Sequence, residues 1–173
     1  ADTIEDLQEE EIAYAPDVAV GMMVEVPAAV ALIDRFLKEV DFISIGTNDL
    51  IQYALAVDRS NNLVADRYQA SDPAVLQMLD QSLSAARAAN VPASVCGQMS
   101  GEPLYTMLLL GLGLRALSVP PSAVPEIKKI CRSVSIPKCE DVARRAMTMD
   151  GAREIDTFLR EELRKVAPEL VAM

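Results

Sequence analysis

Short, nearly all-apolar runs alternate with stretches of helical character along this chain, and that alternation restricts the fold more than any other feature. The runs are Val18–Val26, Phe42–Ile45, Ala93–Cys96 and Ala116–Val119. A strand with one wetted face alternates polar and apolar residues, whereas a strand covered on both faces reads as one apolar segment. Between the runs, Ala28–Glu39 predicts a helix with Val30, Ile33 and Leu37 on one face. Asp72-Pro73 opens another that continues to Ala89, with Asp72 or Ser71 as N-cap and Asn90 as its stop. Pro103–Leu110 and a segment from Ser122 and Pro125 through Arg132 are helical, and Leu50–Tyr68 is helical or irregular. An acidic surface helix over 1–13, ended by Ala15-Pro16-Asp17, precedes these units, and two helices, about 138–148 and 151–166, follow them.

Strands alternating with helices specify a parallel sheet with helices packed on its faces. Four βα units make half of an eight-stranded barrel, which usually takes about 250 residues. The expected fold class is therefore α/β, the C-terminal half of a (β/α)8 TIM barrel followed by C-terminal helices. All of residues 1–173 form one partial domain in this reading: a helix from a preceding unit in 1–17, core βα units in 18–135, and terminal helices in 136–173. An open doubly wound sheet is the alternative. It calls for a Gly-rich phosphate loop after the first strand, which Gly21-Met22-Met23 does not supply.

Charge and cysteine usage narrow the partners. With a net charge of −10, the chain has no use for nucleic acid or an anionic membrane surface, and no apolar run approaches the roughly 20 residues that span a bilayer. Cys96, Cys131 and Cys139 fall in no metal-ligand spacing, and their odd number suits a reducing cytoplasm. There is no histidine, which excludes His-based catalysis.

Three chemically capable residues lie at or just beyond the C-terminal ends of successive predicted strands, the rim where α/β barrels carry their sites. Glu25 is a charge amid apolar neighbours in Met22–Pro27, where a buried ion pair is the structural explanation. Asp49, in the loop Gly46-Thr47-Asn48-Asp49, equally suits a helix N-cap. Two carboxylates about 4 Å apart repel by roughly 4 kcal/mol at an effective dielectric of 20. A divalent cation removes that repulsion, and Mg²⁺ is commonly held by two carboxylates with water and a phosphorylated substrate completing its shell. Arg59, ten residues after Asp49, offers a guanidinium fork for phosphate oxygens, or else pairs with Asp58 at the surface. Asn48 offers an amide donor. Cys96, flanked by Gly97 and Gly101, is either a small core residue or a proton donor, since an ordinary thiol is protonated at neutral pH. Lys128, Lys129, Arg132, Arg144 and Arg145 read as solvated helix faces.

Gly21–Ala29, Val40–Leu50, Gln52-Tyr53, Ala56–Arg59, Asp72–Leu76, Cys96-Gly97 and Leu108–Gly113, in that order, closely resemble the signature of the phosphoenolpyruvate (PEP)-utilising enzymes. The similarity runs from about residue 18 to 135. The Gln-Tyr and Ala-Val-Asp-Arg elements and the distance to Cys96 are most similar to the Enzyme I branch of the phosphotransferase systems. That resemblance implies Glu25 and Asp49 as ligands of a Mg²⁺ cofactor, Asn48 and Arg59 as binders of PEP, and Cys96 as the acid that converts the enolate to pyruvate. It also implies phosphoryl transfer to a histidine on a separate domain and from there to an HPr-type carrier. Two positions depart from the family pattern, Gln98 where glutamate is usual and Ile51 where threonine is usual.

The reading is thus a catalytically incompetent fragment of a PEP-protein phosphotransferase whose open half-barrel edges favour a homodimer. A PEP-sensing module without turnover and a Mg²⁺-dependent CoA-ester lyase or aldolase are the other two.

Overall fold

The computed structural model describes residues 2–170, so that Ala1 of the predicted opening helix and 171–173 of the predicted tail lie outside the described residues. Helix α1 (Asp2–Glu9) ends earlier than expected and gives way to irregular chain, with Glu11 at φ 55°. Strand β1 (Gly21–Val24) then leads to two short helices, α2 (Pro27–Ala31) and α3 (Ile33–Phe36). One helix over Ala28–Glu39 was the expectation. The chain instead breaks at Leu32 (φ −111°, ψ 18°), and Val30, Ile33 and Leu37 all remain buried.

Strand β2 (Phe42–Gly46) runs directly into helix α4 (Thr47–Leu55). The Gly46–Asp49 segment expected as a loop therefore splits, and Thr47, Asn48 and Asp49 form the first helical turn. Asp49 there faces the positive end of the helix dipole, which favours an acid at that position. A 3₁₀ turn at Ala65–Arg67 precedes helix α5 (Pro73–Ala88). Asp72 caps α5 by accepting the Ala74 N–H at 2.9 Å, and Asn90, at φ 57°, turns the chain out of it.

Strand β3 (Ala93–Cys96) is followed by helix α6 (Gln98–Gly101), a 3₁₀ turn at Pro103–Tyr105 and helix α7 (Thr106–Gly111). Helices α8 (Val124–Ser133), α9 (Ile136–Ala146) and α10 (Ala152–Val166) complete the order.

The sheet is parallel, in the order β1-β2-β3. Its register sets Val24 opposite Ile45 and Gly46 opposite Cys96, so the three C-terminal strand ends lie level. The predicted fourth strand, Ala116–Val119, does not form a ladder. Leu117 makes one parallel bridge to Val95, with the Ser118 N–H on the Val95 carbonyl at 2.9 Å. Pro120 and Pro121 come next, and proline has no N–H with which to extend the pairing.

Ile43, Ile45 and Val95 of the sheet are fully buried against Leu50 and Ile51 of α4 and Leu76 and Leu79 of α5. Leu108 and Leu109 of α7, Val142 of α9 and Ile155 and Leu159 of α10 belong to the same core. Among the described residues no helix is long and apolar enough to cross a membrane.

Candidate functional site

The strand ends bring Glu25, Asn48, Asp49 and Cys96 to one rim, and Arg59 lies beyond the end of α4. Glu25 follows β1 and lies beside the end of β2: a Cβ placed on Gly46 would sit 3.1 Å from both the Glu25 Cβ and its Oε2. The absence of a side chain at Gly46 thus leaves room for the Glu25 carboxylate next to the first turn of α4. Asp49 belongs to that turn and is exposed. The two carboxylates are hard oxygen donors at the ends of neighbouring strands. Among the described residues no group of three or more His, Cys, Asp or Glu side chains gathers at one point.

Asp49 is not free to swing. Gln52, one turn further along α4, donates from Nε2 to Asp49 Oδ1 at 3.2 Å. The same side chain accepts the Arg59 backbone N–H on its Oε1 at 3.1 Å. Gln52 therefore links the Asp49 carboxylate to the segment that carries Arg59. The chain can fold back so far because Ala56, at φ 51°, ends α4 in the left-handed region, and the Val57 N–H returns to the Gln52 carbonyl. Asp49, Gln52, Tyr53, Ala56, Val57 and Asp58 line an open groove of about 400 Å³.

Arg59 is exposed and has no ion-pair partner among the described residues. The surface pairing with Asp58 is absent there. Asp58 instead accepts the Ser60 hydroxyl at 2.7 Å and the Ser60 N–H at 2.8 Å, which together hold its carboxyl below the usual range. Tyr68 is half-buried nearby. Burial raises its phenol, the Arg59 charge works against that, and Glu102 and Asp49 add to it.

Asn48 ties the first turn of α4 to the end of β3. Its Oδ1 accepts the Gln98 backbone N–H at 2.9 Å, so one end of the amide is committed to the β3 turn. Its Nδ2 remains as a donor. Cys96 stands at the end of β3, partly buried. Its Sγ receives the Ser44 hydroxyl at 3.6 Å and lies 3.6 Å from the Ile45 carbonyl and 3.7 Å from Met23 Sδ. The glycine beside it serves the chain more than a ligand. Gly97 adopts φ 97°, and a Cβ there would fall 2.4 Å from Thr47 Oγ1 and 2.9 Å from Asn48 Oδ1.

The residues overlooked in the sequence are Ser44, Thr47 and Gln52. Gln52 carried a signal, since i and i+3 are neighbours on a helix. Thr47 and Ser44 gave none, because their partner lies about fifty residues away. Gln98, a departure from the family pattern, is exposed and takes part in the site through its main chain. Of the other cysteines, Cys139 is fully buried and Cys131 exposed, both remote from the rim.

A level parallel rim carrying Glu25, Asn48, Asp49 and Cys96 at its strand ends marks an α/β protein. The comparisons specify the class: residues 1–136 match the family "PEP-utilising enzyme, PEP-binding domain", and the chain belongs to that family. A phosphoenolpyruvate-protein phosphotransferase of Cupriavidus necator is 50% identical over 123 residues, covering 71% of this chain and 21% of the relative. One from Haemophilus influenzae is 40% identical over 158 residues, 91% of this chain and 28% of the relative. Multiphosphoryl transfer protein 1 of Escherichia coli is 39% identical over 156 residues, 90% of this chain and 19% of the relative. The chain thus spans from about a fifth to under a third of the length of these relatives.

Proposed function

We propose that this chain is the PEP-binding part of a PEP-protein phosphotransferase of the Enzyme I type, the C-terminal half of a (β/α)8 barrel. The observation that carries the reading is the level alignment of Glu25, the Asp49 turn and Cys96 on three adjacent strands within the matched family domain.

In this reading Glu25 and Asp49 hold Mg²⁺. The donor set fits: two hard carboxylates at neighbouring strand ends, with room beside Glu25 that a side chain at Gly46 would fill. The ion, when bound, would supply positive charge to the phosphoryl oxygens of PEP. Arg59 adds a second positive group, and Asn48 Nδ2 donates to the substrate. Fixed cations and donors of this kind do most of the work in phosphoryl transfer.

The resemblance to the Enzyme I branch implies that the phosphoryl group passes to a histidine on a separate domain, this chain having none, and then to an HPr-type carrier. Breaking the P–O bond leaves the enolate of pyruvate. Cys96 donates its thiol proton to the methylene carbon, giving pyruvate and a thiolate that takes a proton back from solvent. The setting is the cytoplasm, where the thiol stays reduced. The open edge of β1, with Val18 and Val20 exposed, makes a second copy its partner in a homodimer. A monodisperse monomer in size-exclusion chromatography counts against that pairing.

Calorimetry on the chain tests the central claim. PEP should bind with a dissociation constant in the millimolar range or tighter, only when Mg²⁺ is present. Binding indifferent to Mg²⁺ would sink the proposal.

A further inference from the structure

Three successive backbone groups at the end of β3 are each held by a side chain. The Cys96 carbonyl accepts the Thr47 hydroxyl at 2.8 Å. The Gly97 carbonyl accepts the Ser100 hydroxyl at 2.7 Å, and the same hydroxyl lies 2.6 Å from the Ser118 carbonyl. The Gln98 N–H donates to Asn48 at 2.9 Å. Thr47 and Ser100 are buried, at 0% and 1% exposure, where an unmade hydrogen bond is expensive. Neither peptide plane beside Gly97 can rotate without breaking at least one of these bonds.

Two of the three holding residues, Thr47 and Asn48, immediately precede Asp49 on α4. The turn that carries the thiol is therefore fastened to the turn that carries the carboxylate. Gly97 makes the fastening possible, because no other residue leaves space for the Thr47 hydroxyl at that φ.

We propose that Thr47 is a positioning residue for Cys96: its hydroxyl fixes the main chain at the cysteine, and so the direction of the thiol relative to the Asp49 turn. The purpose of that orientation, delivery of a proton to a substrate carbon, rests on the function proposed above. The orientation itself does not.

The test uses the 173-residue chain and the rate of Cys96 alkylation by iodoacetamide, read peptide by peptide in a mass spectrometer. Exposed Cys131, on another element, is the internal reference. Thr47→Val keeps the shape and removes the donor, whereas Thr47→Ser keeps the donor. The Cys96-to-Cys131 rate ratio should change by about threefold or more in Thr47→Val, in keeping with one lost hydrogen bond. Thr47→Ser should restore the wild-type ratio. Equal ratios in all three proteins overturn the proposal. Equal displacement in both variants overturns it too, because packing and not the hydroxyl would then be responsible.

Should Thr47→Val fail to fold, Gly97→Ala takes its place, since its Cβ intrudes on the same hydroxyl. It should displace the ratio likewise, and an unchanged ratio overturns the proposal. A separate arm adds Mg²⁺ and PEP to the wild type. Failure to slow Cys96 alkylation there counts against the proposed substrate, while the Thr47 comparison, which uses none, still decides the positioning role.

Discussion

The strand rim and the C-terminal helices handle charge in opposite ways. Every described ion pair lies between residues 129 and 169, and none involves Glu25, Asp49 or Arg59. At the helical end, Glu162 of α10 is buried at 1% exposure and is met by Lys138 at 2.5 Å, Lys165 at 2.7 Å and Arg145 at 3.5 Å. Arg145 also lies over the Phe158 ring, 4.4 Å from its centroid. It stays exposed, as its spacing suggested, and at the same time links α9 to α10. Charges that complete one another stabilise a fold, whereas charges left open on a rim are available to something that is not part of the chain.

The largest effect should come from the rim. Asp49→Asn should weaken Mg²⁺-dependent PEP binding about 100-fold or more in calorimetry while leaving the melting temperature almost unchanged. A large loss of stability with retained binding would reverse the contrast.

Glu162→Ala should do the opposite. Removing a buried carboxylate bonded to charged donors costs about 2 kcal/mol, or roughly 4–8 °C in the thermal midpoint for a chain of this size. PEP binding should be unaffected. Burial raises the Glu162 carboxyl, but the Lys138 and Lys165 contacts prevail, and its folded pKa lies below the ordinary value. A depressed acid contributes its stability above the unfolded pKa and loses it as pH falls through the folded one. The wild type should therefore lose stability on acidification below the ordinary carboxylate range more steeply than Glu162→Ala, as followed by urea titration at successive pH values.

A smaller change sharpens the rim itself. Gln52→Ala unties Asp49 from the Arg59 segment and should weaken Mg²⁺-dependent PEP binding by about three- to tenfold, with no change in fold.

The smallest effect lies where the two regions meet. Glu102 is half-buried, its carboxyl raised first by burial and then by Asp156, with Arg160 opposing. A raised acid disfavours the folded state once it ionises. Glu102→Gln should accordingly raise the thermal midpoint at neutral pH, by up to about 3 °C, and the gain should vanish in acid.

Much of this was legible in the residues, at the scale on which local forces act. Two apolar runs, Phe42–Ile45 and Ala93–Cys96, become strands within one residue of their predicted ends, because their neighbours cannot continue a buried segment. Asp72-Pro73 announces α5 through a cap and a preset φ, both local effects. Ala116–Val119 has the same apolar character yet forms only a bridge, since the prolines that stop it act on pairing and not on composition.

The sequence by itself determined that Glu25, Asp49 and Cys96 would lie at or just beyond the ends of parallel strands, and that two helices would close the chain. Only the tertiary structure decided that those ends lie level, that Thr47 reaches the Cys96 carbonyl, that Gln52 bridges Asp49 to Arg59, and that three cations converge on Glu162. The division follows from range. Helix caps and hydrophobic runs are set by residues a few places apart, whereas a hydrogen bond across forty-nine residues exists only once strand register and helix packing have fixed both partners.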